Sequence, residues 1–221
     1  MTPVFRTIDG HAPYAETLAA MQAHAAAIRA GTADEEVWLL EHAPVLTGGT
    51  SARSADLVNP GAIPVHETGR GGQWTWHGPG QRVVYVMLDL QRRSPDVRAY
   101  VHALEGWIIT ALTKFGVAGT RREGLPGIWV PSPTAPGQLD KIAAIGVRIS
   151  RWVTWHGVAI NLDPDLAGFD AIIPCGVRDG GVTSLHQLGI AADMAALDSA
   201  LRDAFPVAFP AADGQPVTSS R

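Results

Sequence analysis

Two residues that are scarce in this chain, a cysteine and a lysine, have side chains that could carry out acyl transfer. Cys175 is the only cysteine and lies between Pro174 and Gly176. Lys141 is one of two lysines, and it opens an apolar stretch in which a charge is out of character. A thiol with an ordinary pKa of about 8.5 is only slightly ionised at neutral pH, whereas an adjacent ammonium group stabilises the thiolate. The pair therefore predicts a nucleophilic Cys175 whose pKa is lowered by Lys141.

Both residues also have an ordinary structural interpretation. A free cysteine often packs as a small apolar side chain, and a lysine at the start of a strand often reaches solvent. The proline and glycine beside Cys175 favour a loop over simple core packing. A thiolate suits an activated thioester donor, because one thioester is exchanged for another before an amine captures the acyl group. This chemistry needs neither ATP nor a bound cofactor.

The second candidate site is a glycine-rich segment, residues 69–81, just ahead of a predicted strand at Val83–Leu90. Glycine supplies no side-chain packing, so such clusters suit tight turns and close approach to a ligand. An ordinary connecting loop is the alternative. Thr-Trp-His-Gly occurs here and again at residues 154–157, and both copies could face one pocket. His77 and His156 could act as general bases, but we favour a hydrogen-bonding scaffold.

Three segments in a fixed order resemble the octanoyltransferase family, also called lipoyl(octanoyl) transferases or lipoate-protein ligase B. They are the Arg-Gly-Gly motif that begins at Arg70 and runs to Leu90, the block from Lys141 to Leu162, and Pro174-Cys175-Gly176. Weaker matches occur at residues 13–14, 39–48 and 127–130, so the resemblance covers roughly residues 10 to 190.

The resemblance implies that Cys175 carries the octanoyl group as a thioester and that Lys141 lowers the pKa of this cysteine. It also implies a narrow apolar groove for the acyl chain, with backbone N–H groups available to the thioester oxygen. The family's donor-binding positions fall on Arg70, Gly71, Gly72, Gln73, Trp74, Thr75, Trp76, His77, Ala144, Ile145, Gly146, Gly157, Val158 and Ala159. No cofactor and no metal are implied.

The same resemblance implies the partners. The donor would be octanoyl-acyl carrier protein, and the acceptors would be lysines of lipoyl domains in the E2 subunits of 2-oxoacid dehydrogenases and of glycine cleavage H protein. The product would serve lipoate biosynthesis.

Two other functions remain open. An ATP-dependent lipoate or biotin protein ligase has the same fold and also places a lysine in this strand, but it needs no cysteine. No phosphate-binding motif is present to favour it, since neither lysine follows a Walker-type glycine pattern. A non-catalytic module that binds carrier proteins is the third hypothesis, and it predicts that Cys175 reacts with iodoacetamide no faster than free cysteine does.

The chain departs from the family pattern at two places. Gly69 stands where an acidic residue is usual before Arg-Gly-Gly, so a salt link to Arg70 could be weakened. Residues 177–179, Val-Arg-Asp, replace the more usual Tyr-Ala-Gly after the cysteine motif.

Composition excludes several classes of protein. A net charge of -4 argues against nucleic-acid binding, and no apolar segment reaches the roughly 20 residues that a membrane span requires. A single cysteine suits a reducing compartment, so we expect a cytoplasmic protein. With 221 residues of which 46% are hydrophobic, one domain over residues 1–208 is expected. Residues 209–221 lack periodicity and predict a flexible tail.

The elements that must position the site alternate irregularly between helix and strand. Helical periodicity predicts helices at residues 12–30, 95–115 and 194–205, with Ser94 as the N-cap of the second. Apolar, β-branched runs predict strands at residues 37–40, 45–47, 63–66, 83–90, 127–130, 141–149 and 153–162. The order predicts an α+β fold, and the resemblance implies a biotin/lipoate ligase-like fold: a larger mixed sheet, a smaller sheet and packed helices.

Overall fold

A computed structural model describes residues 2–173 and 180–210, and it contains a six-stranded mixed sheet at its centre. The strands are β1 (Val4–Ala12), β2 (Glu36–His42), β6 (Gln81–Met87), β9 (Val153–Asn161), β8 (Leu139–Ser150) and β7 (Gly127–Pro131), in that spatial order. Only β1 and β2 pair in parallel; the other neighbours are antiparallel. This sheet supplies β8 and β9, which carry Lys141 and the second family motif.

A smaller sheet of three strands lies nearby, in the spatial order β4 (Val65–Glu67), β3 (Val45–Gly48), β5 (Trp74–His77). Its own apolar cluster contains Leu46, Trp74, Trp76 and Phe169. The α+β architecture with one large and one small sheet agrees with the fold expected from the sequence.

Three helices cover the large sheet. Helix α1 (Tyr14–Ala30) packs against β6 and β9, while α2 (Val97–Thr113) and α3 (Met194–Ala208) pack against each other, and α2 also contacts β7 and β8. The central strands β2, β6 and β9 are buried on both faces, since one apolar cluster contains α2 and α3 residues and another contains α1 residues. All three helices were predicted, and Gly31 ends α1 with φ +72°, a left-handed conformation that glycine adopts without strain.

Two local predictions need correction. The N-cap of α2 is Asp96, not Ser94: the Asp96 carboxylate accepts hydrogen bonds from the backbone N–H groups of Arg98 and Ala99. Strands β1 and β5 were not predicted. In β1, every residue but Ala12 is at least partly exposed, so the sequence lacks the apolar run by which edge strands are recognised.

Strands β8 and β9 form a long hairpin whose turn is Arg151-Trp152. Both residues have positive φ, +48° and +66°, which matches the two-residue turns that fit the twist of antiparallel strands. The register pairs Ala144 with Ala159 and Gly146 with Gly157. The two short donor-binding segments, residues 144–146 and 157–159, therefore lie side by side.

No helix within residues 2–173 and 180–210 combines the length and apolarity of a membrane span. Phe209, the first residue of the predicted tail, is buried and stacks on Phe205 with ring centroids 4.8 Å apart. Residues 211–221 lie outside the described part of the chain, so the tail remains a prediction.

Candidate active site

A cavity of about 420 Å³ lies between the large and small sheets and gathers the residues that the sequence singled out. Every predicted donor-binding residue except Trp76 lines it, and so does Lys141. Trp76 packs instead against Phe169 with ring centroids 5.5 Å apart. The two histidines of the repeated Thr-Trp-His-Gly motif both face this one cavity, as expected.

The cavity walls also contain residues that the sequence did not single out as binding residues, among them Tyr14, Gln81, Val83, Tyr85, Asn161 and Phe169. Tyr14 lies in one of the weaker matches, Gln81 is the last residue of the glycine-rich segment 69–81, and Asn161 is the penultimate residue of the second family block. Their position at the ends of the motifs was the signal that could have found them.

The Arg-Gly-Gly turn is held directly on the β8–β9 hairpin. The N–H of Gly71 donates to Val147 O at 2.8 Å, and a Cβ added at Gly146 would lie 3.0 Å from Gly71 O. Gly72 has φ +89°, a conformation that side chains rarely adopt. Glycine at these positions allows two backbones to approach closely, and the approach forms one wall of the cavity.

Arg70 is a buried cation within this wall, with a relative exposure of 7%. Its Nη2 donates to Thr47 O at 2.6 Å and to Thr47 Oγ1 at 2.9 Å, and its Nη1 donates to Gly71 O at 3.0 Å. The guanidinium therefore clamps β3 of the small sheet to the glycine turn. It also places positive charge beside the cavity.

Gly69, one of the two departures from the family pattern, has a steric explanation here. A Cβ at this position would lie 1.6 Å from Arg148 Nη1. Arg148 donates from that nitrogen to Gly69 O at 3.0 Å, and its guanidinium lies 5.6 Å from the Trp155 ring centroid. The missing side chain makes room for Arg148.

Lys141 is buried near the start of β8, with a relative exposure of 7%. Its Nζ donates to Pro126 O at 3.1 Å and lies 4.7 Å from the centroid of the Trp129 ring. A carbonyl oxygen and an aromatic face both favour a cation. Lys141 therefore lines the cavity and does not extend to solvent as an ordinary strand-end lysine would.

Cys175 and the second departure, residues 177–179, lie outside the described residues. Backbone hydrogen bonds hold the described residues on either side of this segment, and those after it reach Lys141. Ile173 N–H donates to Asp56 O at 2.8 Å before it. After it, Gly181 O accepts from the backbone N–H of Lys141 at 2.9 Å, and Thr183 N–H donates to Lys141 O at 3.0 Å.

Burial controls the ionisation of the side chains that face the cavity. It lowers the pKa of His77 to about 3, with further lowering by the neighbouring His42 imidazole and the Arg70 guanidinium. Burial and Arg70 likewise lower the pKa of His156 to about 3. Both imidazoles are therefore neutral at physiological pH. Burial also raises the pKa of Tyr14 to about 12.

His156 combines two unusual features. Its backbone has φ +59°, a left-handed conformation that is uncommon for a residue with a side chain. Neither ring nitrogen has a hydrogen-bond partner within the described part of the chain, although the residue is only 2% exposed. A buried polar group without a partner is costly and is typical of functional sites.

Comparisons with known proteins identify the family of this chain. The model of the lipoyl protein ligase A/B catalytic domain matches residues 13–206. The octanoyltransferase of Cereibacter sphaeroides is 57% identical over 209 residues, which cover 92% of this chain and 96% of that protein. The octanoyltransferase of Paramagnetospirillum magneticum is 57% identical over 205 residues, covering 93% and 96%.

Solved structures confirm the lipoate ligase fold. A bi-partite lipoate protein ligase from Thermoplasma acidophilum superposes with a TM-score of 0.71 at 14% identity, covering 94% of this chain and 84% of that one. Lipoate-protein ligase A bound with ATP gives a TM-score of 0.67 at 15% identity, covering 93% and 85%. The family match and the close relatives together show that the chain belongs to the lipoyl protein ligase A/B catalytic domain family and, within it, to the octanoyltransferases, which are acyltransferases.

Proposed function

We propose that this protein transfers an octanoyl or lipoyl group from acyl carrier protein to a lysine of a lipoyl carrier domain, as a step of lipoate biosynthesis. The observation that carries the proposal is the cavity between the two sheets, which joins the predicted donor-binding segments to Lys141. The relatives of this protein that are named octanoyltransferase indicate which acyl group is transferred.

The cavity walls suit an aliphatic chain. Val83, Val158, Ala159 and Phe169 line it. The glycines at 146 and 157 let the backbone segments around it pack closely, since a Cβ would lie 3.0 Å from Gly71 O at the first and 2.1 Å from Val84 O at the second. Burial of each methylene group contributes about 0.8 kcal/mol, so an eight-carbon chain gains substantial binding free energy from such walls. The neutral state of His77 and His156 keeps this space from carrying two further charges.

The transfer proceeds in two steps that share one covalent intermediate. The Cys175 thiolate attacks the carbonyl carbon of the donor thioester, a new C–S bond forms as the donor's C–S bond breaks, and the carrier leaves as a thiolate. The lysine amine of the acceptor then attacks the same carbon, a C–N bond forms, and the Cys175 thiolate is released with loss of a proton from nitrogen. The Lys141 ammonium stabilises the thiolate before the first step and after the second.

The acceptors are lipoyl domains of 2-oxoacid dehydrogenase E2 subunits and glycine cleavage H protein. The bi-partite ligase with a similar fold was itself studied with an E2 lipoyl domain, and this fold is compatible with such an acceptor. A thiolate nucleophile must stay reduced, so we place the reaction in the cytoplasm.

Intact mass spectrometry tests the covalent step. Incubation with octanoyl-acyl carrier protein is expected to add the mass of one octanoyl group to the enzyme, and hydroxylamine is expected to remove it because thioesters are labile to this nucleophile. The variant Cys175→Ser is expected to show no such adduct. Turnover without any adduct, or an equal adduct on Cys175→Ser, would contradict the intermediate.

The same wild-type enzyme can be used to distinguish the proposed transferase from an ATP-dependent ligase. Free octanoate with ATP is expected to give no pyrophosphate and no acylated lipoyl domain. Pyrophosphate release that requires this protein would favour a ligase instead.

A further inference from the structure

A chain of hydrogen bonds fixes the ring of His77 and leaves one nitrogen for a ligand. We propose that His77 presents an unprotonated Nε2 to the cavity as the hydrogen-bond acceptor for an N–H of the incoming lysine amine, and that Gln81 and Asn161 are positioning residues that hold this tautomer. The inference rests on the proposed function, since it assigns a residue to its second step.

The chain of hydrogen bonds begins at two backbone carbonyl groups, which can only accept hydrogen bonds. Asn161 Nδ2 donates to Thr183 O at 2.9 Å, so Asn161 must turn its Oδ1 toward Gln81. Gln81 Nε2 donates to this Oδ1 at 2.9 Å, and it also lies 3.4 Å from Trp76 O. The two carbonyl groups therefore orient both amides independently.

The last link determines the protonation of the imidazole. Gln81 Oε1 lies 2.6 Å from His77 Nδ1. Because this oxygen is an acceptor, Nδ1 must carry the hydrogen. A neutral imidazole carries one hydrogen only, so Nε2 retains its lone pair. Within the described residues, the one hydrogen-bond partner of Nε2 is the Thr47 hydroxyl, whose oxygen lies 3.5 Å away, the outer limit of a hydrogen bond.

His42 shows what an occupied nitrogen looks like in the same region. Its Nδ1 lies 2.7 Å from Ala12 O and its Nε2 lies 2.7 Å from Tyr85 Oη, so short contacts engage both nitrogens. His42 does not line the cavity, whereas His77 does. The long contact of His77 Nε2 therefore coincides with access to a ligand.

Burial, and then the charged and titratable groups that face His77, keep its imidazole neutral. His42 lies with its ring centroid 6.0 Å away, and Arg70 and His156 also act on it as positive or potentially positive groups. Together with burial they lower the pKa of His77 to about 3. The acceptor lone pair is thus present throughout the physiological pH range.

The position of this nitrogen favours the acceptor amine over the acyl chain. Asn161 bonds to Thr183, and Thr183 N–H bonds to Lys141 O, so the hydrogen-bonded chain leads from His77 to the strand that carries Lys141. An alkyl chain has no donor, and a thioester only accepts. Among the reacting groups of the proposed transfer, the lysine amine is the one that carries N–H.

The tautomer can be measured without turnover. Long-range ¹H–¹⁵N correlation spectra of the free enzyme, with His77 assigned by the signals that disappear in His77→Phe, are expected to show a protonated Nδ1 and an unprotonated Nε2 at pH 7. Gln81→Met keeps the side-chain length but removes the amide, and it is expected to introduce the Nε2–H form. A wild-type His77 protonated at Nε2 would overturn the proposal.

The two half-reactions then test the role. Starting from acyl-enzyme, His77→Phe is expected to slow transfer to a lipoyl domain by at least about tenfold, a clearly larger factor than any slowing of acyl loading from octanoyl-acyl carrier protein, in which His77 also takes part as a predicted donor-binding residue. His77→Gln, whose amide oxygen can reach the position of Nε2, is expected to recover part of the loss. Gln81→Met is expected to fall between wild type and His77→Phe.

The outcomes separate this inference from the proposed function. If wild-type enzyme forms no acyl-enzyme, the proposed function fails. If acyl-enzyme forms but His77→Phe transfers as fast as wild type, or if it slows loading and transfer equally, the assignment of His77 is wrong.

Discussion

Lys141 is a buried cation at the edge of the cavity. Its ammonium lies against Pro126 O and the Trp129 ring, and the residue is only 7% exposed. Burial of a cation near the cavity places a strong electrostatic influence on any anion that enters it, because the local dielectric is low. The proposed consequence is a Cys175 thiolate that persists at neutral pH.

We predict that Lys141→Ala raises the apparent pKa of Cys175 alkylation toward the ordinary value of about 8.5 and slows iodoacetamide labelling at pH 7 by roughly tenfold or more. Lys141→Arg keeps the charge and is expected to retain part of the effect. Lys114→Ala removes the other lysine, which is exposed at the end of α2, and serves as the control. An unchanged rate profile in Lys141→Ala would refute the electrostatic role.

Residue types predicted the site better than they predicted its hydrogen bonds. The scarcity of lysine and the Arg-Gly-Gly motif pointed to residues that do line one cavity. The tautomer of His77 depends on Thr183 O, more than 100 residues away in the chain, and no local pattern encodes it. The same holds for Gly69, whose absent side chain is explained only by Arg148.

At the level of elements, the start of α2 shows how two adjacent signals compete. Ser94-Pro95 has the composition of an N-cap followed by a first-turn proline, yet the helix begins two residues later, at Val97, with Asp96 as its cap. A carboxylate adds a charge that favours the helix N-terminus, and this gives Asp96 an advantage over the neutral Ser94 hydroxyl.

We predict that Asp96→Ala lowers the free energy of unfolding by about 1 kcal/mol, because two backbone N–H groups lose their acceptor. Ser94→Ala, a change at an exposed neighbouring position, is expected to alter stability by less than about 0.5 kcal/mol. Urea denaturation followed by tryptophan fluorescence measures both. Equal losses in the two variants would show that Ser94 shares the capping role.

Periodicity succeeded for the three helices and for strand β6, and it failed for strands β1 and β5. All three helices and strand β6 have continuous apolar positions, which the sequence shows directly. Strand β1 is held by parallel pairing to β2 although most of its side chains are exposed. Strand β5 lies inside the glycine-rich segment, where its pairing with β3 overrides the local preference for a loop.

For the whole molecule, the packing of a small sheet beside a large one encloses a cluster of histidines. His42, His77 and His156 are all buried, and burial lowers the pKa of each. In the unfolded chain the same imidazoles have a pKa of about 6.5. The cavity that suits an acyl chain therefore makes the fold sensitive to acid.

The sign of this sensitivity follows from proton binding. Between about pH 3 and pH 6.5, the unfolded state binds protons at His77 and His156 that the native state excludes, so the free energy of unfolding falls as pH decreases through this range. Each histidine contributes on the order of 1 kcal/mol per pH unit. Asp198 acts in the opposite direction, since burial raises its pKa above 3.8, but it is one group against three.

We therefore predict that the urea midpoint of the wild-type protein decreases steeply from pH 7 to pH 5. His156→Asn is expected to flatten this slope by about one proton, because asparagine does not titrate and tolerates the φ of +59° at this position. His102→Gln replaces an exposed histidine on α2 and is expected to leave the slope as it is. If His156→Asn unfolds with the wild-type dependence on pH, the buried His156 imidazole is not a source of the acid sensitivity. That result would contradict the inference that enclosing neutral histidines makes the fold less stable in acid.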